Sequence, residues 1–145
     1  MALDKNLIDQ FIKVTSKAAL SSSYLVGKKD KIAADKAAVD SMRSELNKMS
    51  IRGEIVIGEG ELDEAPMLYI GEKVGNNNGP ELDIAVDPLE GTNFVANNLP
   101  GALSVIAISE KNNLFNAPET YMEKISAKVT EKNVVDLDYS VKKNI

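Results

Sequence analysis

Apolar residues recur at Leu7, Phe11, Val14 and Ala18, with Ile8 and Ile12 beside them, at the spacing of three and four that marks one face of an amphipathic helix. The pattern predicts a helix from about Asp4 to Leu20, interrupted by the Ser21-Ser22-Ser23 cluster and Gly27. A second, alanine-rich helical pattern runs to about Met49 from Asp30, a residue of the type that caps helix N-termini. After Gly53 the period changes. Glu54-Ile55-Val56-Ile57 is short, β-branched and bounded by glycines, which predicts a buried strand. The segment containing Met67, Leu68, Ile70 and Val74 matches neither period, so both states stay open for it, and Gly75-Asn76-Asn77-Asn78-Gly79-Pro80 predicts a loop. Leu82 to Asp87 alternates and is expected to stop at Pro88, since proline cannot donate to a ladder. Leu103 to Ile108 is expected to form a third strand. From Lys128 through Asp136-Leu137-Asp138 to Lys142-Lys143-Asn144-Ile145 no packed terminal element is expected, as in a chain cut at a boundary. Strands alternating with helical segments indicate a mixed α/β class, and without repeats or a dividing linker residues 1–145 count as one domain.

Composition narrows the chemistry. A chain of 145 residues is long enough to bury roughly 68–70% of the surface its unfolded form exposes. The 43% hydrophobic and 27% charged composition is that of a soluble globular protein rather than a disordered one. Neither a run of roughly 20 apolar residues nor a signal peptide's apolar core is present, so the expectation is a cytoplasmic protein with no membrane partner. With no cysteine and no histidine, disulfides, thiolate or imidazole ligands and a Ser-His-Asp arrangement are excluded. The net charge of −5 argues against a nucleic-acid partner bound through a basic face. Carboxylates, hydroxyls, lysine, arginine or a bound metal must do the work. Divalent cations would reconcile an acidic chain with a phosphate substrate.

Three acidic positions follow from the pattern. Asp35 falls in register with Val39, Met42, Leu46 and Met49, on the apolar stripe of the second helix. There it is expected to mark the stripe's exposed end, pair with Lys31 one turn earlier, or bind a metal. Glu59 and Glu61 follow the first strand between Gly58 and Gly60, with Asp63 and Glu64 after them, as in a solvated acidic loop or a ligand-binding one. The stretch lacks the third glycine of a dinucleotide fingerprint. Asp87-Pro88-Leu89-Glu90-Gly91-Thr92 reads either as an ordinary strand-to-turn transition or as a turn aiming two carboxylates at one point. Each acid lies on an apolar helix face or just past a strand, so Asp35, Glu59, Asp87 and Glu90 could converge. An oxygen-only set of that kind suits Mg²⁺ or Mn²⁺.

Asp87 to Thr92 matches the D-P-[IL]-[DE]-G-T signature of the lithium-sensitive, metal-dependent phosphatases, the superfamily of inositol monophosphatase and fructose bisphosphatase. Lys31-Ile32-Ala33-Ala34-Asp35, the stretch from Gly58 to Gly71, and Leu114-Phe115-Asn116-Ala117-Pro118 followed by Tyr121-Met122 resemble class II fructose-1,6-bisphosphatase in particular. The resemblance runs along nearly the whole chain, in order.

That resemblance implies a layered sugar-phosphatase fold, with sheet packed between helices, whose N-terminal metal-binding domain is residues 1–145. It implies Asp35, Glu59, Asp87 and Glu90 as metal ligands, joined by the Leu89 carbonyl. It further implies Glu90, Gly91, Thr92 and Tyr121 as substrate contacts and Thr92 as the catalytic hydroxyl. Asp63 would handle a proton, and Lys31 would place Asp35 or meet a phosphate. The implied reaction is metal-dependent removal of the 1-phosphate of fructose 1,6-bisphosphate in gluconeogenesis, with sedoheptulose 1,7-bisphosphate as a further substrate, in a homo-oligomer. Two departures stand out. Family members continue into a second half that supplies basic residues for the far phosphate and another acidic ligand, and Asn93, Asn97 and Asn98 differ from the threonine- and lysine-containing stretch expected after the Asp87-to-Thr92 signature. The alternatives are a catalytically silent metal-binding or subunit-association domain, and an inositol-phosphate or nucleotide-phosphate phosphatase. The Glu59-to-Gly71 stretch speaks against the latter.

Overall fold

The computed structural model describes residues 5–59, 67–115, 124, 128, 134–136 and 138–144. In chain order it contains α1 (Lys5–Ser23), α2 (Lys31–Leu46), β1 (Arg52–Ile57), β2 (Lys73–Val74), β3 (Glu81–Glu90), α3 (Thr92–Ala96), β4 (Leu103–Glu110) and α4 (Val141–Asn144). The mixed α/β class is as expected.

Helix α1 runs through the serine cluster that was expected to end it and stops at Ser23. The Ser22 hydroxyl donates to the Ala19 carbonyl at 3.0 Å and Ser23 to Leu20 at 2.7 Å, so polar side chains that usually compete with helix are spent within it. Asp30 caps α2 as its type suggests, accepting from the Ala33 N–H at 2.9 Å. The helix ends at Leu46, three residues short of Met49. Tight turns follow, with Lys48 N–H on Glu45 and Met49 N–H on Leu46 carbonyls, and Met49 stays buried.

The sheet order is β2-β1-β3-β4, with β1 parallel to β3 and the other pairs antiparallel. The undecided segment thus supplies β2. Leu7, Phe11, Val14 and Ala18 of α1 and Ala38, Val39, Met42 and Leu46 of α2 pack on Ile55, Leu82, Ile84 and Val86 as one core. Among the described residues the helical layer covers one face of the sheet. On the other, Leu103, Val105 and Ala107 of β4 are exposed.

Strand β3 does not stop at Pro88 but continues to Glu90. Pairing with β1 ends at Ala85, so no hydrogen-bond donor is needed from Pro88 on that side. On the β4 side the register shifts between Asp87 and Glu90, which accommodates a residue that cannot donate. At the other end of the chain, α4 is a short helix with no buried residue, tied to Asp136 by the Asn144 side chain. The stretch expected to lack a packed element therefore holds a helix, though an unpacked one.

Candidate metal centre

The expected ligands lie at the carboxyl ends of the parallel strands and on the helix beside them. Glu59 follows β1 by two residues, and Asp87 and Glu90 lie at the end of β3. Open α/β sheets bind ligands at such strand ends. In an unbroken strand, residues three apart face opposite sides. Here Asp87 pairs with Val105 and Glu90 with Leu103, so the extra β3 residue returns both acids to one side. The buried Pro88 and Leu89 between them anchor this bulge.

The acids feel one another. Burial pushes the Asp87 carboxyl up to about 6, the Glu90 carboxyl within hydrogen-bonding reach adds to the rise, and the Asp35 charge contributes as well. The Leu89 N–H, which favours the ionised form, opposes them. Burial likewise raises the Asp35 carboxyl. Asp35 Oδ1 and Asp87 Oδ1 are buried without a hydrogen-bond partner, and Glu59 Oε2 is buried too. Buried carboxylate oxygens that nothing donates to are unfavourable unless a cation meets them. The donor set is all oxygen, which fits a hard divalent ion. Among the described residues no three acidic side chains are arranged to hold one ion as they stand, so side-chain rotation would have to close the set.

The remaining expected residues are placed unevenly. Thr92 opens α3 and is partly buried. Gly91 before it sits at φ 86°, in the left-handed region, and a Cβ there would stand 2.9 Å from the Phe94 ring. Gly91→Ala is therefore expected to lose about 1–2 kcal/mol from backbone strain alone, and a lowered urea midpoint in the purified chain would register it. Lys31 is the exposed first residue of α2 and makes no ion pair with Asp35 among the described residues. Asp63 and Tyr121 lie outside the described residues.

Two features were not foreseen. The loop before α2 grips the end of α3, with Gly27 N–H on Val95 O and Lys29 N–H on Ala96 O, both at 2.9 Å. Asn97, one of the departures from the family stretch, accepts from Lys29 Nζ at 2.9 Å and so ties the end of α3 to the loop that leads into α2. The second feature is an ion pair between Arg43 on α2 and the buried Glu72, with Nε to Oε1 at 2.7 Å. Nothing in their spacing signalled that these two residues, distant in sequence, would meet.

A family model described as bacterial fructose-1,6-bisphosphatase, glpX-encoded, matches residues 5–145. Curated relatives named D-fructose 1,6-bisphosphatase class 2/sedoheptulose 1,7-bisphosphatase include one from Prochlorococcus marinus (strain MIT 9303) and one from Synechococcus sp. (strain RCC307), each 50% identical over 143 residues. Another, from Prochlorococcus marinus (strain MIT 9313), is 49% identical. Each alignment takes in 99% of this chain and 43% of the relative, so the chain spans less than half their length. A match that begins in α1 and runs through every strand identifies the chain as a member of the glpX-encoded bacterial fructose-1,6-bisphosphatase family, aligned to part of its full length.

Proposed function

We propose that this chain forms the metal-binding part of a phosphoric monoester hydrolase that removes the 1-phosphate of fructose 1,6-bisphosphate and acts also on sedoheptulose 1,7-bisphosphate. We place it in the cytoplasm; no described helix is long and apolar enough to cross a membrane. The observation that carries the reading is the pair of buried oxygens that nothing donates to, Asp35 Oδ1 on α2 and Asp87 Oδ1 near the end of β3. The names of the relatives supply the substrates. The apolar residues exposed along β4 favour association into a homo-oligomer.

Asp35, Glu59, Asp87 and Glu90 would hold Mg²⁺ or Mn²⁺, with the Leu89 carbonyl as a further donor. When bound, such an ion polarises the phosphoryl group and makes water a stronger nucleophile. This chain's own groups account for the rest. The left-handed turn at Gly91 lets the backbone approach the phosphate. Thr92, at the start of α3, presents the hydroxyl that orients the attacking water. The water oxygen bonds to phosphorus as the bond from phosphorus to the sugar oxygen breaks; one proton leaves the water and one reaches the departing oxygen. Asp63 is assigned to that proton traffic, Lys31 to the phosphate or to Asp35, and Tyr121 to the sugar.

The test is phosphate release from fructose 1,6-bisphosphate with Mg²⁺ or Mn²⁺, beside thermal unfolding with and without the ion. Turnover that disappears in Asp87→Ala and Thr92→Ala is the expected result. The apolar residues exposed along β4 favour one other reading, a metal-binding or subunit-association domain that is silent by itself. A folded chain that the ion stabilises, but which releases no phosphate, would select it.

A further inference from the structure

The Arg43 guanidinium holds two groups at once. It meets the Glu72 carboxylate in a fork, Nε to Oε1 at 2.7 Å and Nη2 to Oε2 at 3.1 Å, and Nη2 also donates to the Met67 carbonyl. Those partners bracket a segment that lies against the end of β1. Ile55 N–H donates to the Glu72 carbonyl at 2.9 Å, Gly71 N–H to Ile55 at 2.7 Å, and Glu59 N–H to Leu68 at 3.1 Å. Contact is so close at Gly58 that a Cβ would stand 2.2 Å from the Leu68 oxygen. The backbone at Glu59 is thus set by residues 67–72, and Arg43 sets residues 67–72.

Arg43 also lies on the helix that carries Asp35, eight positions away, which at about 1.5 Å per residue is roughly 12 Å along the axis. We infer that Arg43 is a positioning residue for the metal centre: by gripping Met67 and Glu72 together it fixes the strand end bearing Glu59 against the helix bearing Asp35. The inference deepens the metal reading above and rests on it. A planar fork of donors can serve a carboxylate and a carbonyl at once, which a lysine ammonium on one flexible stem cannot do in the same geometry. A purely structural ion pair would behave otherwise, because a buried pair can be exchanged for two apolar side chains with little loss of stability.

That difference supplies the experiment. The chain, Arg43→Lys and the double variant Arg43→Met/Glu72→Met are titrated with Mn²⁺ alone, and hydrogen exchange at the Glu59 amide is followed without metal. The expected result is a double variant that melts near the parent yet binds Mn²⁺ about ten- to a hundredfold more weakly, the usual effect of losing a residue that orients a ligand. Its Glu59 amide should exchange faster, and Arg43→Lys should move both readouts the same way while keeping the charge beside Glu72. Parental Mn²⁺ affinity and Glu59 protection in both variants would overturn the inference alone. A parent chain that binds no Mn²⁺ would overturn the metal reading and this inference with it.

Discussion

Asp87→Asn is expected to stabilise the metal-free chain above pH 6 and to abolish its stabilisation by Mn²⁺. Asp87 is held near Glu90 and Asp35 in a partly buried position that disfavours its charge, and its carboxyl is pushed up to about 6 from 3.8. A carboxyl that holds its proton more tightly when folded contributes stability that is complete below the unfolded value, near 3.8. That contribution is lost as pH rises through about 6. Without metal, the parent chain should therefore lose stability between about pH 4 and 6 through this group, and Asp87→Asn should flatten that part of the profile. With metal the sign reverses. An ion present at a thousand times its dissociation constant adds about 4 kcal/mol to the parent, and the neutral amide gives up the charge that draws the ion in. Urea melts at pH 5 and pH 7.5, with and without Mn²⁺, separate the two effects. An Asp87→Asn chain still stabilised as strongly as the parent would remove Asp87 from the ligand set. Because the ion must displace the raised proton, stabilisation of the parent should also grow from pH 5 to pH 7.5.

Arg43→Met as a single replacement is expected to be the most damaging change at one side chain outside the apolar core, at about 3 kcal/mol. Glu72 is nearly covered, and removing its partner leaves a charge with little water around it. Breaking a buried pair from one side typically amounts to about 3–5 kcal/mol. The lower end applies because the Arg43 side chain keeps 26% of its exposure. Against a total stability of about 5–15 kcal/mol for a domain, that is a large fraction. Glu72→Gln should be milder, since the charge it leaves is the Arg43 guanidinium, which is the more exposed partner and can still donate to the amide oxygen. Chemical denaturation of the two single variants at neutral pH tests the ranking, and equal losses would contradict it.

What could be read in advance divides along local and non-local lines. The α1 and α2 stripes and the strand run at Ile84 rest on period, and the run at Ile55 on β-branched residues between glycines; these local signals mark the residues that form the core. Asp35 could be singled out because an acid on an apolar stripe conflicts with its surroundings, and Asp87 because it ends an apolar strand; each holds a buried oxygen, and their service as ligands belongs to the proposal. The end of β3 was misjudged because a proline's effect depends on which neighbour needs its missing donor, and Pro88 lies past the last β1 pair. The overrun of α1 depends on serine hydroxyls finding carbonyls one turn back. Arg43 and Glu72 were invisible for another reason: their partnership exists only once α2 has packed beside β1 and brought together residues 29 positions apart.

Strand β4 carries a practical consequence. Among the described residues it is the sheet's outer strand, with no further strand beside it and with Leu103 and Val105 uncovered on one side. Unprotected edges of this kind template aggregation. In concentrated solution, β4 is where precipitation of the chain would begin. A single gatekeeping charge, Val105→Lys, should raise the solubility ceiling without disturbing the core, which lies on the strand's other side.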